Sequence, residues 1–236
     1  MSSYFDLVGF GPQGWGSALL KGLWVTLEIS VGAFLVGILI GLCVACAKLS
    51  GPRPVAKIMR GYTTLCRAVP ELLLILLLFY AGSMGINEVM GWLGYAQVKL
   101  NGTLVAILVL GLVQGAYASE IFRGAIQAIP HGQIEAARAF GMNGFNLFHR
   151  VTLPVMAPNA LAGMANLWIN LIKDSALISV VGTSELLFTA KQAAGSTRQY
   201  LVFYLTAAAF YYVLTLLSNL LSGWLERRFR RWMPSV

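Results

Sequence analysis

What this sequence has least of is charge. Only 11% of its residues are Asp, Glu, Lys or Arg, against about a quarter in a soluble domain, while 58% are apolar. A chain so depleted cannot cover a water-facing surface, which excludes the soluble globular classes and leaves an integral membrane protein. Acids are the scarcer sign, nine against seventeen basic residues. Because the basic residues sit beside long apolar runs, the excess reads as membrane orientation and not as nucleic-acid binding.

Other scarcities narrow the chemistry. Three cysteines are too few for a disulfide framework. Cys43 and Cys46 form a C-x-x-C, but inside an apolar helix with no nearby His or second pair, where small buried residues simply pack. The two histidines, His131 and His149, are not spaced as metal ligands, so no metal site is expected. There is no Gly-x-x-x-x-Gly-Lys-Ser/Thr phosphate loop, and no Ser/His/Asp or Cys/His set stands out. The chain is therefore expected to be no enzyme and to hold no cofactor of its own. The first twenty residues lack a basic leader and a small-residue cleavage site, so the first span is expected to stay uncleaved. No repeat of roughly 20 to 50 residues is evident, which weighs against a carrier built from inverted repeats.

What is present is a series of apolar runs, each long enough to cross a bilayer as a helix of about 20 residues. They predict an all-α fold of one domain with five transmembrane helices, over about 22–47, 61–82, 101–129, 155–181 and 200–221. Gly37 and Gly41 form a Gly-x-x-x-Gly pair in the first span that would admit another helix closely. Glu28 in the same span is read as a buried carboxylate needing a partner. The segment Lys48 to Arg67 carries five basic residues, no acid and the breaker run Gly51-Pro52-Arg53-Pro54, and reads as a cytoplasmic loop. Ser83 to Leu100, with Lys99, reads as an external connection. Arg227, Arg228, Arg230 and Arg231 end the chain on the inside, so the N-terminus is expected outside and the C-terminus in the cytoplasm.

Polar residues within or beside spans are candidates for function because they are costly there. Arg67 and Glu71, four apart, would share a helix face and could pair, with Pro70 disturbing the backbone between them. For Glu71 a transport-path role stands beside this structural one. Glu120 and Arg123, three apart, read as a structural ion pair near the cytoplasmic surface. Asn166, Asn170 and either Lys173 or Asp174 form a polar stripe on the fourth span, either lining a translocation cavity or bonding to another helix.

Between the third and fourth spans lies a polar insert, 130–154. Gln133 to Phe140 has helix formers at nearly every position, Pro130 just upstream and Gly141 placed for a left-handed cap. A helix so short does not hold together alone in water and needs a partner surface. The string Glu135-Ala136-Ala137, Arg138 within the following three residues, Gly141, and then Val151-x-Leu153-Pro154 resembles the EAA loop of bacterial ABC-importer permeases. Gly115-Ala116-Tyr117, Glu120 to Ala125, and Lys173-Asp174-Ser175 with Leu177, Val180, Gly182 and Glu185 resemble the polar amino-acid subgroup of histidine, arginine/ornithine and opine type. Position 167 departs from that pattern: it is Leu where some relatives taking cationic substrates carry an acid.

The resemblance implies a type I importer permease of the bacterial inner membrane. Its partners would be a second permease, homologous or identical, two cytoplasmic ATPases that hold ATP and Mg, and a periplasmic substrate-binding protein. The insert would act as a coupling helix on an ATPase, through Glu135, Ala136, Ala137, Arg138, Gly141 and Pro154. The substrate would be a polar, cationic amino acid or a related opine. The rival from another class is a self-sufficient ion-driven carrier or channel.

Overall fold

A computed structural model describes residues 7–11, 14–96 and 101–230. Among these residues the chain is helical with no strand. Lys99 and Arg231 of the charge reading lie outside them.

Helix α1, Gly16–Ser50, is about 52 Å long at 1.5 Å per residue, well beyond a bilayer core of about 30 Å. It ends at Gly51, and α2, Arg53–Ala68, begins behind Pro52, with Pro54 in its first turn where the missing N–H costs nothing. The basic segment expected as a loop is thus mostly helix, since its prolines start a helix here instead of ending one. Val69 is extended, as the residue before a proline must be, and α3 runs over Glu71–Trp92 from Pro70. The expected external connection therefore starts late. Gly82, Ser83 and Gly85 look like breakers in water, but in a bilayer the helix is the conformation that satisfies their backbone groups.

Helix α4, Gly102–Gln127, is capped by the Asn101 side chain, which accepts from Thr103 N. Helix α5, His131–Ala139, and the single turn α6, Gly144–Leu147, make the polar insert. A π turn over Phe148–Thr152 leads into α7, Leu153–Asp174, which tightens into a 3₁₀ segment, Ser175–Val181. Helix α8, Leu186–Thr197, and α9, Tyr200–Arg230, complete the described chain. Five helices are long and apolar enough to cross a membrane, over Gly16–Ser50, Glu71–Trp92, Gly102–Gln127, Gly144–Val181 and Tyr200–Arg228.

The centre of the fold is the seam between α1 and α4. A Cβ on Gly41 would stand 2.6 Å from that of Ala118, and one on Gly115 2.6 Å from a methyl of Ile40, so the two helices meet through glycine from both sides. At one end of the seam Ala45, Phe122, Ile129 and Met156 pack together. At the other, Leu19, Leu186, Ala190 and Phe203 do so. The first end carries Lys48, Arg123 and the insert, and is called here the basic end. Glu28, expected to be buried, is exposed on the face of α1 turned away from α4.

Candidate functional site

The helix break at Pro70 places Glu71 in the first turn of α3, where the helix dipole favours a carboxylate. Near it lie Tyr117 of α4 and the last residue of α7, Asp174, and Gln114, one turn before Tyr117, holds Asp174. Gln114 is 1% exposed and donates from Nε2 to Asp174 Oδ2 at 3.0 Å. Its Oε1 is buried without a partner. The Glu71 carboxyl lies close enough to both the Tyr117 hydroxyl and the Asp174 carboxyl to act on them electrostatically, and the Arg67 charge acts on the same tyrosine. Two carboxyls so close repel when both are ionised, and a cation set between them removes that repulsion. The arrangement is therefore suited to a ligand with a positive group and polar hydrogens.

Of the residues singled out in the sequence, Glu71 and Asp174 come together. Asn166 and Asn170 are exposed on α7, two turns and one turn before Asp174. Gln114 escapes the sequence reading, although an amide directly after the apolar run Leu110 to Val113 is a visible signal.

The expected pairing of Arg67 with Glu71 is corrected. The break at Val69–Pro70 divides them between two helices, and the described ion pairs belong to Glu120. Glu120 Oε1 meets Lys48 Nζ at 2.6 Å and its Oε2 meets Arg123 at 2.8 Å. Lys48, 3% exposed, also donates to Thr63 Oγ1 at 2.6 Å, which ties α1, α2 and α4 together. Arg67 is exposed and lines, with Arg60, Thr63, Thr64, Ala68 and Glu120, a cavity of about 400 Å³ toward the basic end. A larger groove of about 520 Å³ between α1, α7 and α9 is almost wholly apolar and includes none of these charged groups.

The insert presents a different surface. Ala137 is buried and Ile134 packs beside Phe122 and Met156, while Glu135, Ala136 and Arg138 are exposed. Helix α5 ends in a double turn: Met142 N donates to Ala137 O at 3.2 Å and Gly141 N to Arg138 O at 2.9 Å. This closure requires φ +76° at Gly141, a conformation that glycine adopts without strain. On either side of it Phe140 and Phe145 stand 87% and 77% exposed, two apolar side chains on a polar insert. Pro154 is exposed in the first turn of α7, so the insert and α7 are joined by continuous helical backbone.

Outside the spans, Glu185 is fully buried and caps α8. Burial pushes its carboxyl above the usual carboxylate range, against the pull of the Leu187 and Phe188 amides, Tyr211 and Thr26.

Comparison with known proteins shows the family and the fold. The chain is 41% identical over 217 residues to the octopine transport system permease OccQ of Agrobacterium tumefaciens (strain Ach5), covering 92% of each. It is 38% identical over 216 residues to the histidine/lysine/arginine/ornithine transport system permease HisQ of Escherichia coli (strain K12), covering 92% of this chain and 95% of that one. The crystal structure of an amino acid ABC transporter with histidines matches with a TM-score of 0.78 at 29% identity, over 97% of this chain and 99% of its counterpart. A chain of the MetNI methionine transporter shares the fold, with a TM-score of 0.71 at 22% identity. Residues 37–231 match the model of the binding-protein-dependent transport system inner membrane components, and the chain belongs to that family of ABC-importer permeases.

Proposed function

We propose that this permease carries a polar, cationic amino acid or a related opine inward across the bacterial inner membrane. The observation that carries the substrate class is the meeting of Glu71 and Asp174 with Gln114 and Tyr117. Arg67 nearby suits the carboxylate that such a substrate also bears. The names of the relatives, which include octopine and histidine/lysine/arginine/ornithine systems, point the same way. Asn166 and Asn170 extend the path along α7, supported by their exposure on a helix that otherwise buries leucine and methionine.

In this reading α5 is a cytoplasmic coupling helix and the N-terminus is periplasmic. The concentration of Lys48, Arg60, Arg123, Arg138, Arg150, Arg227 and Arg228 on the side of the insert supports that orientation. A second permease, homologous or identical, completes the cavity, two ATPases holding ATP and Mg receive the coupling helices, and a periplasmic binding protein delivers the substrate. ATP closure draws the coupling helices together and opens the cavity outward; hydrolysis returns it inward. The test is uptake in proteoliposomes. Uptake of radiolabelled arginine or octopine should require the ATPase, ATP and the binding protein together. Uptake by this chain alone, driven by an ion gradient and indifferent to ATP, would overturn the proposal.

A further inference from the structure

Glu185 takes no part in the cluster around Asp174, yet it is the most heavily bonded acid among the described residues. Its carboxyl accepts from Leu187 N at 2.8 Å and from Phe188 N at 2.7 Å, which closes the first turn of α8. The same group accepts from Tyr211 Oη on α9 at 2.8 Å and lies 3.3 Å from Thr26 Oγ1 on α1. Leu186 N donates back to Thr26 Oγ1 at 3.1 Å. None of the described ion pairs involves it. Around it the backbones are in contact, since a Cβ on Gly22 would stand 3.0 Å from Leu186 Cα.

The chain between Asp174 and Glu185 is built differently. Ser175–Val181 is 3₁₀ helix, whose hydrogen bonds are poorer than those of an α-helix and which often marks a hinge. It ends at Gly182 with φ +87°, and the Thr183 hydroxyl just beyond is buried without a partner. A firm anchor and a segment with poorer backbone bonding, though its Ile178 is packed in the core, thus lie within eleven positions of each other, directly beyond Asp174 in the chain.

We infer that Glu185 is a positioning residue for the cluster around Asp174: it locks α8 to α1 and α9 as one body, so that movement of α7 is taken up at Ser175–Gly182, next to Asp174. With the anchor in place, displacement of α7 changes the surroundings of Asp174. Without it, α8 follows α7 and the cluster is carried along unopened. The role rests on the transport reading above, and the experiment separates the two.

Spin labels are placed by Lys21→Cys on α1 and Gln192→Cys on α8, both exposed, in a chain whose Cys43, Cys46 and Cys66 are replaced by alanine. A second pair joins Gln192→Cys to Asn159→Cys on α7, also exposed. In the complex with its ATPase, the first distance should stay narrow with and without a non-hydrolysable ATP analogue, while the second should shift. Glu185→Gln and Tyr211→Phe should broaden the first distance and lower uptake per ATP hydrolysed about tenfold, the loss expected for a hydrogen bond to a buried charged group. Glu185→Asp keeps the cap of α8 but falls short of Tyr211, and should behave as Tyr211→Phe does. A purely structural role would reduce the amount of complex and leave uptake per ATP unchanged. The inference is overturned if the first distance stays narrow in both Glu185→Gln and Tyr211→Phe, or if it shifts with the nucleotide analogue as far as the second. Should the unaltered complex take up no substrate, the transport reading fails, while the two distances still decide the role of Glu185.

Discussion

Gln114 Nε2 donates to Asp174 Oδ2 at 3.0 Å, joining α4 to the end of α7, while Oε1 of the same amide is buried with nothing to accept from. An acceptor buried and unspent beside a carboxylate is costly, which marks the contact of Gln114 with Asp174 as held for more than packing. Replacing the acid by its amide keeps shape and removes charge. Asp174→Asn should therefore raise the KM for uptake of a cationic amino acid at least about tenfold, the order expected for one charge-assisted hydrogen bond. ATP hydrolysis in the absence of the binding protein should not change. Uptake assays over a concentration series, with a neutral polar amino acid as control, check this.

The ion network at the basic end is structural in its energetics. Lys48 is 3% exposed and holds Glu120, Thr63 and, at 3.5 Å, Ser119. Removing Lys48 leaves Glu120, 25% exposed, paired with Arg123 alone, so the cost falls below the figure of about 3 kcal/mol for a buried charge left uncompensated. Lys48→Met should lower the thermal stability of the detergent-purified chain accordingly, and the double variant Lys48→Met with Glu120→Gln should recover part of it. Thermal unfolding followed by size-exclusion chromatography reads both.

The α1–α4 seam gives a packing prediction. Gly41 faces Ala118 so closely that an added Cβ would sit 2.6 Å from the alanine's own, and 3.0 Å from Ser119 N. Gly41→Val should destabilise the chain by about 1–3 kcal/mol through overpacking. Gly61 has open space around it, so Gly61→Ala should have little effect in the same assay.

Half of that seam was legible in advance. The pair Gly37 and Gly41 announces that some helix comes close, but only the structure shows that it is α4 and that Gly111 and Gly115 answer from the other side. The apolar runs marked out five spans because hydrophobic length is a local property, but the second, expected over 61–82, lies over Glu71–Trp92 behind the break at Val69–Pro70. The α3 terminus was missed because Gly82 and Gly85 act as breakers in water but not where helix alone satisfies the backbone. Arg67 and Glu71 were paired by spacing, and a proline between them cancels spacing as a guide. Glu28 was expected buried on hydropathy alone, which cannot say which face of a helix turns away from its neighbour. Gln114, Thr26 and Tyr211 gain their partners across 60, 159 and 26 positions, and no local pattern carries that information.

The account turns on α5 acting as a lever. Its surface residues can be altered without touching the spans: Glu135 is exposed, and Gly141 closes the helix in a conformation that a side chain strains. The most direct measurement is substrate-stimulated ATP hydrolysis by the reconstituted complex carrying Glu135→Lys or Gly141→Asp, alongside a check that the chain still inserts into the membrane. The account predicts that stimulation collapses while insertion persists; stimulation equal to that of the unaltered complex would contradict it.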